Sequence, residues 1–491
     1  MKLSLDILRK GWLLAVPLLF HVLAQGQSIR YSNFYDSNSG AEILDEAVVL
    51  DDGSLVVAGK TSNSNGTGFG RTFNFVLDEE GTLQHSHVWQ EDQVSIGPYA
   101  IVRTQSGGIY EAGTRHDYSV PSLGTGDFFL AKLDETGDTL FTKVFERPDT
   151  SDFMLDIVQT RPNKLLLMGW TYNDTVDVSS AAQLLFITTD TLGNKLNEVV
   201  WGLNGADYIH SGLTINENGE VLITGWIGSN TWLVKTDSIG NVLWHEIHAQ
   251  FGGDGGTCIV QTLDGNFAIL GGSENPTTGN SDGLIIKVNS NGDEIWTRKY
   301  PAVNGSQSLW WGDVLEDGSI VACGQTTDTD DGSQAGWLIK TNENGDTLWT
   351  HVYNPSPYID RLLNLEVMQN GDIVMFGSGR REGEVVQDGW VLRVDSMGCL
   401  LEGCLSVGIA ELENHQRYFK AYPNPATNEF NVEPNEIGFK EVEVVIHDAM
   451  GKEVLRFSSN RDRQTIDVST WARGIYHCTV TNSCCKPRSL S

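Results

Sequence analysis

The sequence predicts an all-β chain: a seven-bladed β-propeller followed by a small, Ig-like C-terminal β-sandwich. Three observations carry the prediction. An eight-residue pattern of two turn residues, an apolar run and a closing glycine recurs seven times, with closing glycines 46 to 56 residues apart. Most copies go on to a second glycine turn, often followed by a strand carrying Trp or Phe. The composition agrees, with 53 Gly and 14 Trp against 7 Met in 491 residues, as many tight turns and packed rings require.

Length and charge narrow the function. A chain of 491 residues is expected to hold two or three folded units. Asp plus Glu number 64 against 33 Lys plus Arg, a net charge of −31. Nucleic acid and anionic membrane need a cationic footprint, so neither is an expected partner. Hydrophobic residues at 40% and charged residues at 20% exclude wholesale disorder.

The first element in the chain is an address. Lys2, Arg9 and Lys10 precede the apolar run Trp12–Ala24, with small residues at Ala24 and Gly26. This resembles a secretory signal peptide. The run is broken by Pro17 and His21 and is too short for the ~20 apolar residues that span a bilayer. Residues 1–26 are therefore read as removed, with cleavage after Ala24 or Gly26. No later segment approaches ~18 consecutive apolar residues, so no transmembrane segment is expected.

The repeats occupy residues 27–404. The copies Asp52-Gly53-Ser54-Leu55-Val56-Val57-Ala58-Gly59 and Asp317-Gly318-Ser319-Ile320-Val321-Ala322-Cys323-Gly324 show the pattern. The others close at Gly113, Gly169, Gly225, Gly271 and Gly377, with Asn163 replacing the first glycine of the third. The second turns include Asp134-Glu135-Thr136-Gly137 and Asp237-Ser238-Ile239-Gly240, and the aromatics after them include Phe141, Trp244, Trp296 and Trp349. Each unit thus reads as strand A, tight turn, strand B, long loop, strand C, tight turn, strand D. A period near 50 is that of a propeller blade, whose faces are buried only when neighbours stack round a ring. The Trp residues are read as docking between blades rather than as ligand contacts.

The last repeat has only Cys399–Cys404 where its D strand belongs. Ile29–Tyr35 matches the D-strand pattern of Leu348–Tyr353 and is expected to complete that blade. Cys399 and Cys404 are close enough in sequence to form a disulfide across a turn in an oxidising compartment. Cys258 and Cys323 read as small buried hydrophobes.

Antiparallel order puts the A–B and C–D turns on one face and the long, variable B–C and D–A connections on the other. Binding residues collect on such connections. Asp45, Glu46, Tyr99, Asp156, His210, Trp310, Trp311, Asp360 and Arg361 stand near the channel mouth expected on that face. Of these, Tyr99, Asp156, His210, Trp310, Trp311 and Arg361 are taken as the ligand-binding candidates. Aromatic platforms beside carboxylates suit a carbohydrate or peptide. One of the adjacent pair Trp310-Trp311 is expected in the core and the other exposed, since strand residues alternate. Asp328-Thr329-Asp330-Asp331-Gly332 has part of a calcium-loop pattern but not its spacing or terminal Glu, and reads as a solvated acidic loop. No GxSxG, HExxH, P-loop or dinucleotide fingerprint occurs. Neither a metal site nor a cofactor is assigned. The turn-plus-Trp pattern resembles the docking repeats of quinoprotein-type propellers, a likeness of architecture in which no quinone ligand can be identified.

A linker, residues 405–417, leads to a region of different texture at 418–491. Its motifs are Tyr422-Pro423-Asn424-Pro425-Ala426-Thr427-Asn428, Val442–Val454 with Asp448-Ala449-Met450-Gly451-Lys452, and Ile466–Tyr476 with Gly474-Ile475-Tyr476. Alternating apolar strands with glycine turns make a small β-sandwich. In this order at a chain end, the three motifs closely resemble the C-terminal sorting domain of type IX secretion cargo from Bacteroidetes-type bacteria. The resemblance implies export by that machinery, with the protein secreted or held at the outer-membrane surface. The final residues Cys484–Ser491 depart from the apolar, Lys-containing strand usual in that family.

The functional expectation is a monomeric binding or adhesion module for a glycan or protein ligand on the long-loop face. The alternative is a polysaccharide hydrolase or lyase acting at the same face, and a structural role in the cell envelope is a third reading. The absence of a catalytic motif favours binding, whereas the fold itself does not decide.

Overall fold

The computed structural model describes residues 29–401 apart from 38–39, 63–69, 92, 119–125, 174–181, 203–206, 228–229, 249–253, 276, 303–304, 329–331, 357–358, 382 and 385. Beyond residue 401 it describes the strands between Phe419 and Asn482 and a few residues beside them. The described residues contain strands and no helix. The chain divides into two compact units between residues 408 and 409.

The first unit is a seven-bladed propeller. Seven four-stranded antiparallel sheets follow one another, and six of them take their strands in chain order. Blade I runs from Glu42–Val49 to Leu83–Trp89, and blade II from Val94–Arg103 to Thr139–Phe145. Blade III runs from Thr150–Arg161 to Lys195–Trp201, and blade IV from Asp207–Thr214 to Val242–His248. Blade V runs from Asp254–Gln261 to Glu294–Tyr300, and blade VI from Ser306–Val314 to Thr347–Tyr353. The A strands contact one another right round the ring, VII meeting I, so they form its inner wall.

Blade VII closes the ring as the sequence pattern predicts. Its own three strands are Arg361–Val367, Ile373–Gly379 and Asp388–Val394, and its fourth is Tyr31–Tyr35. The register sets Tyr31 against Arg393 and Tyr35 against Gly389. Arg393 is buried in this seam and paired to Asp372 at 3.1 Å, and Ile29 N donates to the same carboxylate. Two buried charges are tolerable there because each meets the other.

Among the described residues, seven apolar clusters fill the propeller, one between each pair of neighbouring blades. Cys258 and Cys323 lie buried in two of them, as small hydrophobes do. At the outer rim, the turn that follows strand C of every blade is a three-residue loop with its glycine at φ 76° to 88°. In several blades the D-strand ring lies on the turn glycine of the next blade. A Cβ on Gly292 would sit 3.1 Å from Trp244, on Gly345 2.9 Å from Trp296, on Gly398 3.1 Å from Trp349, and on Gly81 2.6 Å from Tyr31. These Trp residues are therefore docking groups, and Tyr31 of the closing strand takes the same role. Four residues on, Tyr35, Tyr300 and Tyr353 each donate to the carbonyl of that glycine.

The closing glycine of the repeat does not end strand B, which continues past it. Every A strand bulges opposite this glycine. The bulge drives an A-strand carbonyl to within 1.8–2.7 Å of the place a Cβ would occupy, as at Gly59, Gly113, Gly169, Gly271, Gly324 and Gly377. Only glycine fits such a bulge.

Among the described residues, the second unit contains two three-stranded sheets. One joins Phe419–Tyr422, Glu429–Pro434 and Gln464–Asp467, and the other Glu453–Ser459, Val442–Asp448 and Tyr476–Asn482.

Deleting residues 29–35 strips blade VII of its outer strand and removes three rings, Tyr31, Phe34 and Tyr35, each worth on the order of 1.5–3 kcal/mol of burial. The truncated protein is expected to melt well below the full chain or to aggregate through the bared edge. Scanning calorimetry with size-exclusion chromatography checks this, and an unchanged melting temperature with a monomeric profile refutes the closure.

Candidate functional site

The A-strand bulges set the inner wall. The unpaired bulge residues include Asp45, Tyr99, His210 and Trp310, all four singled out by the sequence. In three blades the side chain of the residue after the bulge reaches the next blade. Glu46 Oε2 accepts from Ile101 N at 2.8 Å, Asp156 Oδ2 from Gly212 N at 2.7 Å, and Cys258 Sγ approaches Gly312 O at 3.9 Å. In all three cases the partner follows the equivalent post-bulge position of the neighbouring blade. Asp156 Oδ1 also accepts from Ile157 N, so both its oxygens are engaged by backbone amides.

A channel cavity of about 370 Å³ opens between these strands, lined by Glu46, Arg103, Asp156, Gly212, Trp311 and Glu366 among others. It brings together Asp156 and Trp311 of the expected set. It also brings in Glu366, which sequence reading missed, since a lone Glu within a strand carries no signal. Burial pushes Asp156 up to about 7 and Glu366 up to about 8, the latter helped by Asp313. Burial, reinforced by Asp156 and Glu366, holds Glu46 well above the carboxylate range. The channel wall therefore presents carboxyl groups that keep protons near neutrality.

The other expected residues stand apart. Tyr99 is 36% exposed, with the Lys60 ammonium 4.3 Å from its ring and Asp45 3.0 Å from that ammonium. His210 lies 4.4 Å from Trp226, and burial lowers its imidazole to about 4, so it is neutral. Arg361 is tied to Gln334 at 3.0 Å. Asp360 is buried and accepts from Ser356, with burial pushing it up to about 6. Trp310 and Trp311 are both half-buried, which corrects the expected split into one core and one exposed ring. The bulge between Leu309 and Trp311 suspends the alternation on which that split rested. Asp328 closes its own turn by accepting from Gly332 N, while Thr329, Asp330 and Asp331 lie outside the described residues. So does Cys404, the expected partner of the buried Cys399.

A feature the sequence did not show lies at the long-connection ends of blades II and III. His116 and Tyr118 leave strand B of blade II, Phe153 enters strand A of blade III, and Trp170 and Tyr172 leave its strand B. Their rings form one continuous run. Tyr118 stacks on His116 at 6.2 Å, His116 meets Phe153 at 5.3 Å, Phe153 stacks on Trp170 at 4.1 Å, and Trp170 on Tyr172 at 5.9 Å. Tyr118 is 47% exposed and the other four are half-buried. Charged groups flank the run: Arg115 bridges Glu91 and Asp117, and Arg147 bridges Asp152 and Glu198. Beside them burial pushes Asp127 up to about 6, with Asp152 and Glu146 adding to the shift. In sequence the five residues are scattered between positions 116 and 172, which hid the ledge. A larger groove of about 610 Å³ lies on the opposite face among turn residues such as Ser106 and Thr136, whose hydroxyls bond within their own turns.

Comparison with known proteins adds the address. Residues 420–486 match the family described as the secretion system C-terminal sorting domain. No curated protein matches the chain. Among solved structures, the alpha-L-arabinanase of Penicillium chrysogenum is similar at 11% identity and TM-score 0.42, over 74% of this chain and 95% of that one. The propeller domain of the trilobed protease of Pyrococcus furiosus matches at 9% and 0.42, over 73% and 96%. Sqt1 of Chaetomium thermophilum matches at 11% and 0.45, over 73% and 96%. By its own strand order the chain is a β-propeller, and it carries a type IX sorting domain, which marks it for export and for secretion or attachment at the cell surface.

The channel carboxyls make a pH prediction. Glu366 is raised from 4.5 to about 8, so the stability tied to its protonated form is fully present below pH ~4.5 and lost as pH rises through ~8. Glu366→Gln is expected to stabilise the propeller by on the order of 1–3 kcal/mol at pH 8 and to change little at pH 4. Denaturant titrations at the two pH values measure this, and equal effects at both would contradict it.

Proposed function

We propose that the propeller is a binding or adhesion module that takes a glycan on its long-connection face. The observation that supports this reading is the run of five rings from Tyr118 to Tyr172 beside Arg115, Glu91 and Asp117. Ring faces stack on the apolar faces of sugars, and flanking charged groups bond their hydroxyls. A protein ligand is the other occupant of the same face. Tyr99, His210, Trp310 and Arg361 are further candidate contacts, as are Asp156 and Trp311 in the channel wall. The protein works as a monomer exported by the type IX machinery through its C-terminal domain.

One observation favours a second reading, hydrolase or lyase action on a polysaccharide. Asp127 holds a proton near pH 6 next to Asp152, which pairs with Arg147, as a general acid beside a second carboxyl group does. A glycan array and a reducing-sugar release assay on the exported protein separate the two. Binding without turnover is expected, weakened roughly tenfold by Trp170→Ala. Sugar release abolished by Asp127→Asn would replace this reading with the enzymatic one, and absence of binding to any glycan would remove it.

The chain is organised, on this proposal, as a signal peptide at 1–26, the propeller at 27–404, a linker at 405–417 and the sorting domain at 418–491. Cys399 and Cys404 form a disulfide at the propeller's exit. In the exported protein, N-terminal sequencing should read from Gln25 or Gln27, and unreduced peptide maps should show the two cysteines joined. Alkylated thiols at both positions would disprove the pairing.

A further inference from the structure

We propose that the ring closure carries a binding site for a divalent cation of the calcium class, formed by Asp36, Glu42 and Asp388. The three come from separate segments. Asp36 follows the closing strand, Asp388 opens strand C of blade VII, and Glu42 opens strand A of blade I. One carboxylate oxygen from each lies within 4.8 Å of the other two. Glu42 is 0% exposed and Asp388 1% exposed.

Carboxylates this close and this buried need positive charge beside them. Arg381 supplies one unit, bonding Asp388 and reaching Asp36 at 3.5 Å from a half-exposed side chain. No ion pair reaches Glu42 among the described residues. Its Oε1 accepts from Ser37 Oγ and Thr61 Oγ1, both at 2.7 Å. Its Oε2 is buried and accepts no hydrogen bond. A buried acceptor without a donor, beside two further carboxylates, is the arrangement a cation satisfies.

Charge and chemistry agree on the class. Three carboxylates and one guanidinium leave two negative charges, which a divalent ion neutralises. The donors are hard oxygens, with the Ser37 and Thr61 hydroxyls alongside and neither Cys nor His, which disfavours zinc and suits calcium. Calcium takes 6–8 oxygens at ~2.3–2.6 Å, and sites in extracellular modules bind in the 10⁻⁴–10⁻³ M range. The sorting domain sends this chain to that environment. Bound there, the ion ties the end of the closing strand to the last and first blades together, a role distinct from glycan recognition on the ledge.

The test uses the full exported chain, melted in EDTA and then in rising calcium or magnesium chloride. Calcium is expected to raise the melting temperature by several degrees with half-effect between ~0.1 and 1 mM, and magnesium much less. Asp36→Asn, at an exposed position, should abolish the calcium shift while leaving the EDTA melting temperature nearly unchanged. Glu42→Gln should abolish it too if the variant folds. Arg381→Gln should tighten calcium binding several-fold by removing the competing cation. Asp328→Asn, in the acidic loop of blade VI, should retain the shift in full. No calcium shift in the parent, an equal shift with magnesium, a shift that survives Asp36→Asn, or one lost in Asp328→Asn would each overturn the site.

Discussion

The structure depends on one steric contact: the carbonyl that each A-strand bulge presses against a glycine of strand B. Because this oxygen occupies the place of a Cβ, no other residue can stand there without moving the inner strand. The bulge in turn disturbs the sheet ladder at the inner wall, and side chains from the preceding blade bridge the disturbance. Glu46 and Asp156 do so with carboxylates, Cys258 with a thiol. A device that shapes a single sheet thereby also aligns neighbouring sheets. It sets the post-bulge residues Glu46, Asp156 and Trp311 in the channel wall, equivalent positions whose identity differs from blade to blade.

The rim is organised by a complementary contact. At Gly81, Gly193, Gly292, Gly345 and Gly398 a ring on strand D of the preceding blade covers the turn glycine, and where Tyr35, Tyr300 or Tyr353 follows, its hydroxyl bonds the carbonyl of that glycine. Glycine serves a different need here, since its left-handed φ lets the three-residue turn close and its bare Cα lets the indole lie flat. Inner and outer contacts bracket the apolar cluster between each pair of blades, so interblade geometry is fixed at both radii.

This division explains what could be read in advance. The repeats, both turns, the D-strand aromatics and the closing strand were legible because each rests on a local steric demand repeated at fixed spacing. The bulge was present in the pattern as the closing glycine but read as a strand end, which is why Trp310 and Trp311 were assigned opposite environments. Glu366, the aromatic ledge and the carboxylates of Asp36, Glu42 and Asp388 were not legible. Each assembles from segments tens to hundreds of residues apart, and none of its members is unusual in its own stretch. The sorting domain was legible for another reason, its three motifs being ordered and close together.

The closing strand has a consequence for the order in which the molecule comes into being. Its hydrogen bond from Trp390 to Ser32 spans 358 positions, and its whole register lies against residues 389–393. A chain made or threaded from its N-terminus delivers this strand first and its partner after every other blade. Blades I to VI are local, each built from neighbouring strands, and are free to form in succession. Only the seventh waits, holding the ring open as a stack with two unsealed ends until the last blade arrives. Such long-range pairing is slow compared with local hairpins. The step that seals the circle therefore coincides with delivery of the propeller's final strand, so an interrupted chain is left as an open arc rather than a smaller ring.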